Sequence, residues 1–145
     1  LEEAKKKRVT LLIPSDVVIT EEIDAKAPTI VVSVTEILPN YSIADIGPET
    51  IKQFVAELQK SKTVLWNGPV GVYEIPQFAQ GTKTIAQFLA GLRAVTIIGG
   101  GSTAEVVGQM GLGNKMTHVS TGGGASLMFL EGETLPGVAI LLDKE

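Results

Sequence analysis

Three stretches of the chain combine residue types that could do chemistry: Trp66-Asn-Gly-Pro-Val-Gly-Val-Tyr-Glu74, Gly99-Gly-Gly-Ser-Thr-Ala-Glu105 and Ser120-Thr-Gly-Gly-Gly-Ala-Ser126. In the second and third, glycines follow an apolar run and a helical pattern starts at once. Such a turn leaves backbone N–H groups unpaired at the positive end of a helix dipole, which suits a phosphate. Ser102, Thr103, Ser120 and Thr121 add hydroxyl donors beside it. A triple glycine equally makes a tight turn and lets helix and strand pack closely. Two such turns, with an Asn-Gly-Pro loop at a third strand end, favour an anion or nucleotide site over turn-making alone.

What accompanies the glycines narrows the class of nucleotide. Gly99, Gly101 and Ala104 satisfy the G-x-G-x-x-[GA] fingerprint of dinucleotide sites. That fingerprint also wants an acidic residue about 20 positions on, at the end of the next strand, to hold a ribose. The region reads Thr117-His-Val-Ser-Thr-Gly, and no carboxylate follows it until Glu131. A P-loop is absent, since no Gly-Lys-Ser/Thr closes any glycine turn. An NAD(P)-dependent Rossmann oxidoreductase is thus disfavoured without being removed. A non-catalytic nucleotide-binding module that kept the fold and lost the chemistry is a further alternative.

These turns must be positioned by the elements around them. Helical and strand patterns alternate along the chain, with apolar runs at 9–13, 63–66, 94–98 and 117–119 reading as strands. Two β-branched stretches, 16–23 and 29–34, read as a hairpin or excursion off the main sheet, and 42–46 as another strand. Gly47-Pro48 opens a helix that carries Ile51, Phe54, Val55 and Leu58 on one face. A second helix repeats that spacing with Ile85, Phe88, Leu89 and Leu92, and helices follow both glycine turns, over 102–110 and 125–131. The expected fold is α/β: a three-layer α/β/α, open, mostly parallel, Rossmann-like sheet forming a single domain over 1–145. In such sheets ligands bind beyond the carboxyl ends of the strands, where the three stretches fall. Leu1 to Arg8 reads as the last turns of a helix, which suggests a piece of a longer chain.

Composition excludes several function classes. The chain has 145 residues, 44% of them hydrophobic and 19% charged, with a formal net charge of −4. Its only arginines are Arg8 and Arg93, and binding nucleic acid asks for a basic face, so no nucleic-acid role is expected. No cysteine is present, which removes disulfides and thiolate metal sites. No apolar run approaches the ~20 residues that span a bilayer, so no membrane role is expected. His118, the only histidine, lies in a strand pattern without a metal-ligand partner and reads as structural.

Several of these motifs, in order and in register, resemble phosphoglycerate kinases. They are Asp45-Ile-Gly-Pro48, the Trp66 to Glu74 stretch, Ile97-Ile-Gly-Gly-Gly101, His118-Val-Ser-Thr-Gly-Gly-Gly-Ala-Ser-Leu127, Phe129-Leu-Glu-Gly132 and Leu135-Pro-Gly-Val138. The resemblance implies a two-domain, cytoplasmic, glycolytic enzyme that moves a phosphoryl group reversibly between 1,3-bisphosphoglycerate and MgADP, giving 3-phosphoglycerate and ATP. This chain would be most of the nucleotide-binding domain, with 3-phosphoglycerate held on another domain. It further implies Glu74 on the ribose hydroxyls and Asn67 toward phosphate, with Pro69, Gly71 and Val72 lining the nucleoside pocket. Gly99, Gly100, Gly101, Ser102 and Thr103 would present a helix start to the β- and γ-phosphates. Gly101, Gly123 and Gly124 would aim backbone donors at the transferring group. Ser102 stands where the family usually has aspartate, which helps hold the nucleotide's magnesium; a hydroxyl brings an oxygen but no charge. The chain lacks the family's earlier phosphate loop and lysine, so it is expected to be inactive alone. The full-length enzyme is expected to be a monomer, and the shorter chain to self-associate through unpaired strand edges.

Overall fold

The computed structural model describes residues 2–120 and 122–141, so the expected hydroxyl of Thr121 and the end of the apolar 135–142 tail lie outside the described residues. The chain divides into two compact units, Leu1–Ser61 with Val70–Phe88, and Lys62–Pro69 with Leu89–Glu145.

The first unit opens with a short helix α1 (Glu2–Lys6) and is built on three strands, β1 (Asp16–Thr20), β2 (Ile30–Ser33) and β3 (Ser42–Ile46). β1 lies in the middle and pairs antiparallel with both neighbours. The expected hairpin is therefore present. β3 departs from the expected parallel arrangement: it lies on the other edge of β1 and runs antiparallel to it. Its ladder skips one residue between Val18↔Asp45 and Ile19↔Ile43, leaving Ala44 as the extra residue of a bulge. The strand expected at 9–13 is not formed. Val9 and Ile13 are 58% and 59% exposed, and among the described residues no strand pairs with that run.

Gly47 ends β3 and caps α2 (Pro48–Leu58), with proline at the first helical turn as expected. The cap that matters comes from β1. Asp16 accepts the Glu49 N–H at 3.1 Å and the Thr50 N–H at 2.7 Å, satisfying donors the helix itself cannot. The Thr50 hydroxyl lies 2.7 Å from the same carboxylate and also accepts the Ser15 N–H at 3.0 Å. A Cβ on Gly47 would fall inside the Asp16 carboxylate, so the strand-to-helix turn demands glycine. Burial pushes the Asp16 pKa up, but the bonds from Thr50 and Glu49 outweigh it and hold the carboxyl below its ordinary value of 3.8. The α2 stripe expected to be core, Ile51, Phe54, Val55 and Leu58, is only half-buried.

The second unit holds the parallel sheet, in the order β4 (Thr63–Asn67), β5 (Val95–Gly99), β6 (His118–Val119). The pairing runs from Thr63↔Val95 to Asn67↔Gly99, so those two residues stand side by side where both strands end. β6 is two residues long and pairs at Ile97↔His118 and Ile98↔Val119. Just before it, Thr96 and Thr117 exchange bonds, each backbone N–H donating to the other's hydroxyl oxygen at 3.1 Å. One sheet face buries Val64, Trp66, Thr96 and Ile98, while Val106 and Val107 of α4 (Gly101–Gln109) are also core. A fully buried Ile98 or Val107 contributes about 1.5–3 kcal/mol. The other face, Leu65, Ile97 and His118, borders an apolar groove of about 410 Å³ beneath α5 (Gly123–Glu131). A last short helix, α6 (Pro136–Ala139), follows. The boundary between units falls within α3 (Gln80–Gly91), between Phe88 and Leu89.

Candidate functional site

The second unit gathers three strand ends and two helix starts. β4 delivers Asn67, exposed and paired with Gly99. Gly68 then turns the chain with φ +103°, a conformation that favours glycine. Two bonds fix this turn: the Trp66 indole N–H donates to the Gly68 carbonyl at 2.7 Å, and the Gly68 N–H donates to Thr103 Oγ1 at 2.8 Å. Trp66 thus packs and anchors, as its position at the end of an apolar strand implies.

β5 ends at Gly99, and Gly100 caps α4 with φ +88° and ψ 143°. A Cβ at Gly100 would stand 2.8 Å from Asn67 Oδ1, so both conformation and proximity require glycine there. No side chain caps the helix. Its first hydrogen bond joins the Ala104 N–H to the Gly100 carbonyl at 3.0 Å, leaving the N–H groups of Gly101, Ser102 and Thr103 without helical acceptors. Gly101 and Ser102 are exposed.

The third stretch repeats the arrangement. Ser120 donates its N–H to the Ile98 carbonyl at 2.8 Å, and its hydroxyl oxygen accepts the Gly122 N–H at 3.2 Å. α5 begins at Gly123, again with no side-chain cap, and its first bond among the described residues runs from the Ser126 N–H to the Gly122 carbonyl at 2.9 Å. Among the described residues no acceptor takes the N–H groups of Gly123 and Gly124. The two helix starts touch backbone to backbone: a Cβ on Gly123 would lie 2.7 Å from Gly100 Cα and 2.9 Å from Gly100 N. Asn67 sits beside the contact, its Oδ1 3.2 Å from the same point and its amide 3.4 Å from the Gly123 carbonyl. No Lys or Arg lies in the three stretches, so positive potential there comes from helix dipoles and N–H groups.

The structure brings together Asn67, Gly99, Gly100, Gly101, Ser102, Gly123 and Gly124 in one unit, with Pro69 following Gly68 there. Gly71, Val72 and Glu74 belong to the other unit, where Glu74 is exposed and Gly71 and Val72 are half-buried. Thr103 has a structural part as well. The residue is fully buried and its hydroxyl oxygen accepts the Gly68 N–H, so it also helps to hold the turn. Magnesium was expected at Ser102. Among the described residues no group of three His, Cys, Asp or Glu could hold a metal. One exposed, uncharged hydroxyl does not fit a protein-held magnesium ion, which takes several oxygens, carboxylates among them.

Asp45 escaped the sequence reading as anything but part of a motif. It is a buried carboxylate at the end of β3, bonded to the Gly81 N–H at the start of α3 at 2.8 Å. The available signal was an acid in the middle of Ile43-Ala-Asp-Ile46, a run otherwise apolar.

Comparison with known proteins bears on the whole chain. Residues 1–133 match the family model of phosphoglycerate kinase. The chain is 55% identical over 146 residues to a phosphoglycerate kinase of Chlorobaculum tepidum, covering 99% of this chain and 37% of that one. It is 50% identical over 144 residues to that of Herpetosiphon aurantiacus, covering 99% and 36%. Among solved structures, phosphoglycerate kinase from Coxiella burnetii superposes with a TM-score of 0.89 at 40% identity, over 96% of this chain and 36% of that one. The enzyme from Pyrococcus horikoshii gives 0.79 at 30% identity, over 95% and 34%. The chain therefore spans about 36% of the length of such relatives.

Proposed function

The chain belongs to the phosphoglycerate kinase family, and from that premise we propose that it supplies part of the ADP/ATP site of a full-length enzyme that transfers a phosphoryl group reversibly between 1,3-bisphosphoglycerate and ADP. The observation that carries the reading is the side-by-side pair of uncapped helix starts at Gly101 and Gly123. Phosphoryl transfer asks a protein mainly for positioning and for donors aimed at charge on the phosphate oxygens. The N–H groups of Gly101, Ser102 and Thr103 suit the β- and γ-phosphates, and those of Gly123 and Gly124 suit the transferring group. The Asn67 amide stands beside both. Pro69, Gly71 and Val72 are assigned to the nucleoside and Glu74 to the ribose hydroxyls on the strength of their motif. Magnesium enters with the nucleotide, as substrate. The phosphoryl acceptor, 3-phosphoglycerate, binds elsewhere in the full-length protein, which is cytoplasmic and monomeric in this reading.

The test is an NMR titration of the chain with MgADP, with NADH as control. Saturable shifts are expected at the amides of Gly99, Gly100, Gly101 and Ser102 and of Gly123 and Gly124. A preference for NADH, or MgADP shifts that spare both glycine turns, would overturn the assignment.

A further inference from the structure

Three consecutive residues of the loop leading to Glu74 are held by the end of β3 and the start of α3. The Val70 N–H donates to Thr82 Oγ1 at 3.1 Å, and the Val72 N–H donates to the Ala44 carbonyl at 2.8 Å. Ala44 can accept because it is the bulge residue, displaced from the β1 ladder. Between these two bonds, Gly71 rests on the carboxylate of Asp45. A Cβ at Gly71 would fall inside that carboxylate and 2.5 Å from the Phe78 carbonyl.

Asp45 is itself clamped. It is 1% exposed, and its oxygens accept the Ile46 and Gly81 N–H groups, each at 2.8 Å, together with that of Gln80. Gly81 also presses on it, since a Cβ there would stand 2.5 Å from Oδ1. Burial drives its pKa above the ordinary value, with the three N–H groups pulling partly back. A helix start can be capped by a short polar side chain at its own N-cap. A carboxylate sent from a neighbouring strand, with two glycines packed against it, does more than that. It sets the height of the Gly71 backbone over α3. From there two turn bonds, Tyr73 N–H to Gly71 carbonyl at 2.9 Å and Ile75 N–H to Val72 carbonyl at 3.1 Å, carry the geometry through Glu74.

We propose that Asp45 is a positioning residue for Glu74, acting through Gly71 and Val72 to hold the ribose acceptor in place. The inference rests on the reading of Glu74 as that acceptor. It is tested in the full-length enzyme by comparing ATP with 2′-deoxy-ATP as substrates. A charged acceptor for ribose hydroxyls is worth about 10- to 100-fold in kcat/KM between the two. Glu74→Ala should abolish that discrimination. Asp45→Asn, which replaces an acceptor by an amide that opposes the Gly81 or Ile46 N–H, should collapse it too, chiefly through KM. Gly71→Ala perturbs the loop from its own side, leaves Asp45 chemically intact, and should do the same if Asp45→Asn fails to fold. A merely structural Asp45 would lower the amount of active enzyme and leave the discrimination intact. Loss of discrimination in Glu74→Ala with full retention in the Asp45 and Gly71 variants overturns the positioning role and spares the Glu74 reading. Unchanged discrimination in Glu74→Ala overturns both.

Discussion

Replacing Gly123 by alanine in the full-length enzyme should separate the two helix starts. The new Cβ would lie 2.7 Å from Gly100 Cα and 2.9 Å from Gly100 N. Ordinary contacts between such atoms fall at about 3.5–4.0 Å, so one backbone must retreat by roughly 1 Å. Neither neighbour is a side chain that could swing aside. Gly100 is further confined by its positive φ and by Asn67. The retreat therefore moves α5's first turn, and with it the Gly123 and Gly124 N–H groups. A misplacement of that size at a reacting group costs about 100-fold in kcat. Overpacking at a rigid contact costs about 1–3 kcal/mol of stability. Steady-state turnover and thermal unfolding read the two effects. Gly108→Ala is the control: nothing stands within 4 Å of its Cβ inside α4, so it should gain about 0.5–1 kcal/mol and keep its kcat. Wild-type kcat together with wild-type Tm in Gly123→Ala would refute the contact and the mechanism built on it.

Two further expectations concern charge. Asp16→Asn removes charge-assisted bonds to Glu49 and Thr50 and should cost about 1.5–3 kcal/mol at neutral pH. Because the folded Asp16 pKa lies below 3.8, its contribution is present above that pH and lost as pH falls through the folded value. The gap between wild type and variant in urea unfolding should therefore narrow below pH 3.8, and a gap independent of pH would contradict the cap. Ser102→Asp adds a carboxylate beside the phosphate donors of α4. It should lower the magnesium concentration for half-maximal turnover by about 10-fold or more, read at fixed ATP; an unchanged requirement would show that the ion never approaches this residue.

The elements that carry chemistry were largely legible. Gly47-Pro48, Gly99 to Gly101 and Gly122 to Gly124 announce strand-to-helix turns through residues whose backbone freedom or fixed φ has few other uses. The 42–46 strand was read within its true bounds, yet its partner was not. Alternation of types says that a strand exists, while pairing direction depends on which edge is open, and that is a tertiary matter. The 9–13 run shows the limit from the other side. Its apolar pattern is real, but a strand forms only where a neighbour completes its ladder. Within the site, Thr103 was read by type as a phosphate donor. Only the fold reveals that its hydroxyl oxygen also accepts the Gly68 N–H. Asp16 and Asp45 were missed for the same reason: each serves a helix start more than 30 positions away, a distance local patterns do not span.

The Thr96–Thr117 exchange also sets a phase. Neighbouring parallel strands have no hairpin turn between them to fix register, and β6 is too short to select one by hydrophobic alternation. A slip by a single residue would break both threonine bonds at once and turn every later side chain to the opposite face. α4 begins two residues after β5 ends and α5 four residues after β6 ends, so their mutual alignment is inherited from those pairings. Two methyl-bearing hydroxyls thus act as the vernier on which α4 and α5 are read against each other.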